Sequence, residues 1–220
     1  MGTAISQEYI SSLVNVGTLE LETKVDSKPA YTGIAVTNDM VLLTDWNECN
    51  LHLYNLHDGK FLSSHRLESR PYDVCLISKT EVAVCLRDSR KIVILSFKSI
   101  DDVKRVKTLD VSPIFTRGKS GLDECQSMAK LNSNKLVVSG KNFFNAMLCW
   151  YVVSIKDGHL DSTHKICNNF NSFTHLAIKD NTIYISCQSW VYTTFQSYYS
   201  YTDSGVYAYN ISNARRRKFL

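Results

Sequence analysis

Six histidines, seven cysteines and a scatter of carboxylates are the residues of this 220-residue chain whose types suit catalysis or metal binding. Such chemistry needs several of them at one point: a base beside a nucleophile, or three or four ligands around a metal. His57 and His159 flank Asp-Gly dipeptides, His65 and His164 fall in polar segments, and His52 sits in an alternating one. His175 opens an apolar run, and the comparable runs elsewhere offer Asp73 and little else. A lone histidine of this kind is read as hydrogen-bonded structure. The chain contains no G-x-S-x-G, Walker or dinucleotide fingerprint, and no C-x-x-C pair or zinc-module spacing. No catalytic residue, metal ligand or cofactor is therefore assigned.

The cysteines carry a different signal. Cys75, Cys85, Cys149 and Cys187 lie inside apolar runs, where a free thiol behaves as a small hydrophobe. The expectation is reduced structural cysteines and a cytoplasmic protein. The first residues show no basic flank leading into an apolar run, so no signal peptide is expected. Gly2 and Ser6 fit the myristoylation pattern, although one acyl chain anchors weakly. No apolar run approaches the length of a membrane-spanning helix. With 44% hydrophobic and 21% charged residues and a formal charge of +4, the composition is that of an ordinary globular protein. The charge neither demands nor excludes nucleic acid.

The elements that position these residues emerge from an internal repeat. The stretch "YTGIAVTNDMVLLTDW" at 31–46 returns as "FTHLAIKDNTIYISCQ" at 173–188. Two further copies, "YDVCLISKTEVAVCL" and "QSMAKLNSNKLVVSG", lie between them. Each joins two apolar runs through a polar turn, the pattern of a β-hairpin. Each is followed by an alternating third segment ("NLHLYNL", "KIVILSF", "MLCWYVVSI", "GVYAYNI") and by a more polar fourth one. Asp-Gly in "LHDGKF" and "IKDGHL" supplies the positive φ of a tight turn. Four strands per unit, with starts about 40 to 54 residues apart, is the period of a β-propeller.

The expected fold is all-β: a propeller of four-stranded antiparallel blades at about 31–67, 68–112, 119–167 and 169–220, after a tail at 1–12 and a leading strand at 13–23. First and second strands should be sandwiched between blades and the charged fourth strand exposed. The leading strand suits the outer position of a last blade. Four visible blades read as an incomplete six-bladed ring, and an uncovered blade face of ~800 Å² that is roughly 60% apolar, worth ~12 kcal/mol, predicts self-association.

The stretch "YTGIAVTNDMVLLTDWNECNLHLYNL", whose hairpin ends in Asp-x-Asn, and "RPYDVCLISKTEVAVCLRDSRKIVIL" with its Pro-Tyr-Asp-Val turn resemble the NHL-type, six-bladed (TolB-like) propeller of tripartite motif (TRIM)-like proteins of molluscs and other invertebrates. The likeness covers about residues 13–112 and fades afterwards. It implies a propeller that chooses a substrate protein or an RNA for a ubiquitin ligase. The RING, B-box and coiled-coil segments of such ligases are absent from this sequence, so no zinc or ligase chemistry carries over to any residue here.

Loops joining second to third and fourth to first strands share one face. That face collects Arg70, Arg87, Arg90, Lys91, Arg117, Lys119 and Lys141, with Asp45, Glu48 and Asp88 against them. It is either an RNA-binding rim or a solvated mixture of charges. The same face carries the insertion "SWVYTTFQSYYSYTDSG", with Trp190, Tyr192, Phe195, Tyr198, Tyr199 and Tyr201. These aromatics form a partner-binding loop, or else they lengthen the second and third strands of the last blade. The basic cluster Arg215 to Lys218 suits a polyanion patch or a guarded edge strand. The expected function is a non-catalytic recognition module that binds a protein, with RNA binding as the alternative and a propeller hydrolase third.

Overall fold

The computed structural model describes residues 19–22, 28–97, 103–111, 124–142, 147–157, 159–165, 172–179, 182–193, 198–210 and 216–218. Polar turns close the hairpins where the sequence offers them. In the first blade Thr37 Oγ1 accepts the Met40 amide at 2.9 Å, and Asn55 Oδ1 accepts the His57 amide at 2.7 Å. Gly59 ends the next turn at φ +69°, and a Cβ there would collide with the Glu20 carbonyl. Cys49 and Arg90 take the same left-handed conformation, both at φ 54°.

Four antiparallel sheets result, each ordered as in the sequence. The first holds β1 (Tyr31–Val36), β2 (Met40–Asp45), β3 (Asn50–Asn55) and β4 (Phe61–Arg66). The second holds β5 (Pro71–Leu76), β6 (Glu81–Leu86), β7 (Lys91–Phe97) and β8 (Val103–Asp110). Then come β9 (Glu124–Asn132), β10 (Lys135–Asn142), β11 (Met147–Ser154) and β12 (Leu160–Lys165). The last sheet holds β13 (Ser172–Lys179), β14 (Thr182–Thr193), β15 (Tyr198–Asn210) and β16 (Arg216–Lys218). Inner strand packs on inner strand in the order β1, β5, β9, β13, as in a propeller.

Alternation within each strand feeds two junctions at once, because successive side chains leave opposite faces of a sheet. In β6, Val82 and Val84 join Ala35, Leu42 and Leu53 of the first blade. Ala83 and Cys85 join Met128, Leu136 and Val138 of the third. Val137, Trp150 and Val152 then meet Leu176, Ile183 and Ile185 of the fourth. Middle strands are therefore apolar on both faces, and β4 and β8 are exposed as expected. The first strand departs from expectation. β1 buries Gly33 and Ala35 but exposes Ile34 and Val36, and the strands buried almost throughout are second and third: β2, β3, β6 and β7. Among the described residues no blade precedes β1 on that side, whereas the equivalent Val74 of β5 is buried against the first blade.

Two further expectations are corrected. Residues 19–22 of the presumed leading strand pair with no sheet. They cross the flank of the first blade, where Leu19 and Leu21 pack on Val41, Leu43 and Tyr54. The Glu22 amide donates to the Gly59 carbonyl at 3.0 Å, and the Phe61 amide donates to Glu22 Oε2 at 3.2 Å. Apolar burial plus these bonds replaces a strand ladder. Residues 13–18 lie outside the described residues. The cysteines are not all reduced either. Cys85 and Cys125, both fully buried, are joined as a disulfide between the second and third blades with Cα atoms 6.5 Å apart, while Cys49 and Cys75 are free. Alternation in β6 turns Cys85 toward β9, so cysteine usage ceases to argue for a reducing compartment.

A polar clasp crosses the same junction. Each inner strand carries a bulge at the same place, next to Gly33, Asp73, Ser127 and His175, which stand opposite Thr44, Cys85, Ser139 and Ser186. The buried Asp73 carboxylate accepts the Ser127 hydroxyl and the Met128 amide, both at 2.8 Å, and the Val74 amide at 2.9 Å. Ser127 Oγ in turn accepts the Leu176 amide at 3.2 Å. Gly33 packs so closely on Asp73 that a Cβ there would lie 2.7 Å from the Asp73 Cα.

Burial pushes the Asp73 carboxyl above the usual aspartate range, against the pull of its three donors. A carboxyl whose pKa is higher folded than unfolded disfavours folding once ionised. The stability of the wild type relative to Asp73→Asn should thus increase as pH falls through the folded value toward about 3.9, and level off below it; denaturant titrations across that range check the slope. Asp73→Ala strands a hydroxyl and two amides and should lower stability by ~3 kcal/mol, read from the urea midpoint. The disulfide closes a loop over a sequence separation of 40. Replacing both cysteines by alanine should lower stability by ~2–4 kcal/mol, read from the same midpoint, and reduction of the wild type should reproduce the loss.

Candidate functional site

The chain brings its loops together at one end of the blades through backbone bonds that follow the repeat. The Trp46 amide donates to the Ala30 carbonyl at 2.9 Å, and the Arg87 amide, one blade on, donates to the Arg70 carbonyl at 3.0 Å. Asp45 fixes the first of these loops: its Oδ1 accepts the amides of Ala30 at 3.1 Å and Asn47 at 3.0 Å, so the Asp-x-Asn of the sequence is a turn held by its own carboxylate. The other oxygen, Oδ2, meets His52 Nε2 at 3.3 Å in the buried interior.

This framework presents one compact group. The guanidinium carbons of Arg70 and Arg87 each lie 5.2 Å from the centre of the Trp46 ring, and Arg87 lies 5.5 Å from that of Tyr72. The two rings meet edge to face, with centroids 5.8 Å apart. Cation–π attraction and ring packing hold the long arginines in place, which reduces the conformational entropy lost when a partner binds. Arg70 Nε approaches Asp88 Oδ2 at 4.0 Å, and both side chains are more than half exposed.

Of the basic residues expected on this face, Arg70 and Arg87 come together. Arg90 and Lys91 close the same β6–β7 turn, where the Arg90 carbonyl accepts the Val111 amide at 3.3 Å. Lys91 is held at 3.3 Å by Glu68, which also takes Arg105 at 2.9 Å. These bonds keep the Glu68 carboxyl below the usual range. Lys141 stands near the end of β10, paired with Leu148 and Glu124 across the sheet. Arg117 and Lys119 lie outside the described residues. Sequence reasoning missed Trp46 and Tyr72. The signal was present, since Tyr72 is two residues from Arg70 and Trp46 occupies the repeat position of Arg87.

The aromatic insertion takes a regular form. β14 and β15 run 12 and 13 residues, against 6 each in β2 and β3, so the inserted segment lengthens both strands at the loop end. The register sets Trp190 opposite Tyr201, Tyr192 opposite Tyr199 and Thr193 opposite Tyr198. Phe195 lies outside the described residues, as do Arg215 and the Asn-x-Ser site beyond Asn210.

Inner strands of all four blades line a cavity of about 370 Å³ that includes Asp73, Ser127, Lys130 and His175. Asp73 and Ser127 bond one another, and Lys130 donates to the Ile77 carbonyl. The Ser127 hydroxyl donates to Asp73 and accepts the Leu176 amide. Among the described residues, no three His, Cys, Asp or Glu side chains are grouped to hold a metal. A larger cavity of about 780 Å³ opens at the opposite end, between the β1–β2 and β5–β6 turns, where Met40, Leu62, Leu76 and Phe97 meet Asn38, Lys79 and Lys130.

No family profile matches the chain, and no curated protein matches it. Solved structures do. The computationally designed Ika4 protein is 15% identical over 88% of this chain and 96% of its own, with a TM-score of 0.55. The Cps50 (Swd1) β-propeller domain of Myceliophteria thermophila is 10% identical over 86% of this chain and 71% of its own, with a TM-score of 0.54. A chain of the Mitotic Checkpoint Complex is 11% identical over 87% of this chain, with a TM-score of 0.57, and this chain spans 51% of its length. At these identities the likeness is one of fold, and the fold is a β-propeller.

Proposed function

We propose that this chain is a non-catalytic recognition module that binds a protein partner through its loop face, as the substrate-recognition propeller of a TRIM-like ubiquitin ligase. The observation that carries the reading is the cluster of Trp46, Arg70, Tyr72 and Arg87. Tryptophan, tyrosine and arginine dominate the energetic centres of protein interfaces, and here they are pre-arranged, accessible and at the end where propeller loops converge. The extended β14–β15 ribbon of the fourth blade lengthens its strands at the same loop end. Propeller domains commonly bind proteins, and a chain of this shape in the Mitotic Checkpoint Complex is part of an assembly. The mutual commitment of Asp73, Ser127 and Leu176 supports the non-catalytic half of the reading.

Neutralisation on the rim favours protein over RNA. Among the described residues, Lys91 and Arg105 share Glu68 and Arg70 faces Asp88, which lowers the positive charge those residues offer to a phosphate backbone. The Trp46→Ala variant should keep the fold and lose the partner by roughly 30-fold, corresponding to ~2 kcal/mol. The check is quantitative affinity capture by wild type and variant, with thermal melting to confirm the fold. Equal capture by both would remove this face from the proposal. Nuclease-sensitive capture that falls steeply with salt would transfer it to RNA.

A further inference from the structure

The junction between blades is built three times within this chain, and the same residues can be compared at each. Val74, Met128 and Leu176 follow the bulge positions Asp73, Ser127 and His175, and each is buried by the preceding blade, at 3%, 2% and 8% exposure. Their first-blade counterpart is Ile34, after Gly33, and it is 61% exposed. Val36, on the same side, is 45% exposed. Behind them stand Val41, Leu43 and Tyr54, and Leu19 and Leu21 pack on these three without burying Ile34 or Val36. The leading flank of the first blade thus has the composition of a junction and, among the described residues, no neighbouring blade covers it.

The fourth blade shows the complementary lack. Ala177 is the counterpart of Ala35, which is buried at 7% in the first junction, yet Ala177 is exposed together with His175 and Lys179. Among the described residues, no packing comparable to that of the three internal junctions joins β13 or β14 to β1. The exposed Asp39, in the β1–β2 turn, and the exposed Lys179, at the end of β13, lie at the same end of their blades.

We propose that the leading flank of the first blade receives the trailing flank of the fourth blade of a second copy of this chain, and that two copies closed head to tail complete the ring. The occupant follows from the repeat. Val74, Met128 and Leu176 are each covered by the trailing face of a blade, and among the described residues the trailing face at Ala177 is left open. Every copy offers one flank of each kind, so a two-fold pair satisfies both with no surplus. Two copies give eight blades, within the range of four to eight that propellers adopt. Two junctions of ~800 Å² a side exceed what a stable interface buries.

Sedimentation of the whole chain at micromolar concentration tests this. The expected mass is twice 25.0 kDa. Ile34→Glu, a change at a residue exposed in the single copy, should weaken the pair by at least about tenfold while leaving the melting of the single copy unchanged. Mixing copies that carry Ile34→Cys with copies that carry Ala177→Cys should give cross-linked pairs above the wild-type background, and neither variant should do so alone. A wild type that sediments as one copy would overturn the proposal. So would a pair indifferent to Ile34→Glu, or Ile34→Cys copies that cross-link to each other as well as to Ala177→Cys copies, which would mean a face-to-face contact.

Discussion

The Asp73 carboxylate ties the second blade to the third, and through Ser127 the third to the fourth. A buried charge of this kind is tolerated only where donors surround it, and three do so here. Apolar packing alone leaves adjoining blades free to slide along one another, because hydrophobic contact is non-directional. Hydrogen bonds to one carboxylate fix the sliding register. The bulge that repeats in every inner strand is what brings Gly33, Asp73, Ser127 and His175 to the same level. Glycine at the first of these positions lets β1 approach the Asp73 backbone closely. The disulfide between Cys85 and Cys125 crosses the junction beside the clasp.

Around that clasp, every blade behaves as a layer with two sides to cover. Val82 and Val84 face one neighbour, while Ala83 and Cys85 face the other. Burial therefore depends on position in the arc as much as on residue type: isoleucine at 34 is exposed, while valine at 74 and leucine at 176 are buried. Polar residues concentrate where a layer has no neighbour at all, on the outer strands β4 and β8 and in the loops.

The recognition face follows from the same construction. Loops that join stacked sheets meet at an end without forming a core of their own, so their side chains pack with one another. Trp46 and Tyr72 come from successive blades and are brought into contact by the spacing of the sheets, with Arg70 and Arg87 laid against them. A rigid scaffold beneath a group of this kind gives it a defined shape before any partner arrives.

Much of this was written locally in the sequence. Alternation, turn residues and the four-fold return of a hairpin determined the strands, their order and the antiparallel pairing, because a period of two and a tight turn are properties of neighbouring residues. The Asp-x-Asn turn and the Asp-Gly positive φ belong to the same class. Which cysteines meet, which side of β1 is covered, where residues 19–22 lie and that Arg70 and Arg87 share one tryptophan were decided by tertiary structure. Each of these depends on contacts between segments about twenty to forty residues apart in the chain, and no local pattern encodes the distance between them.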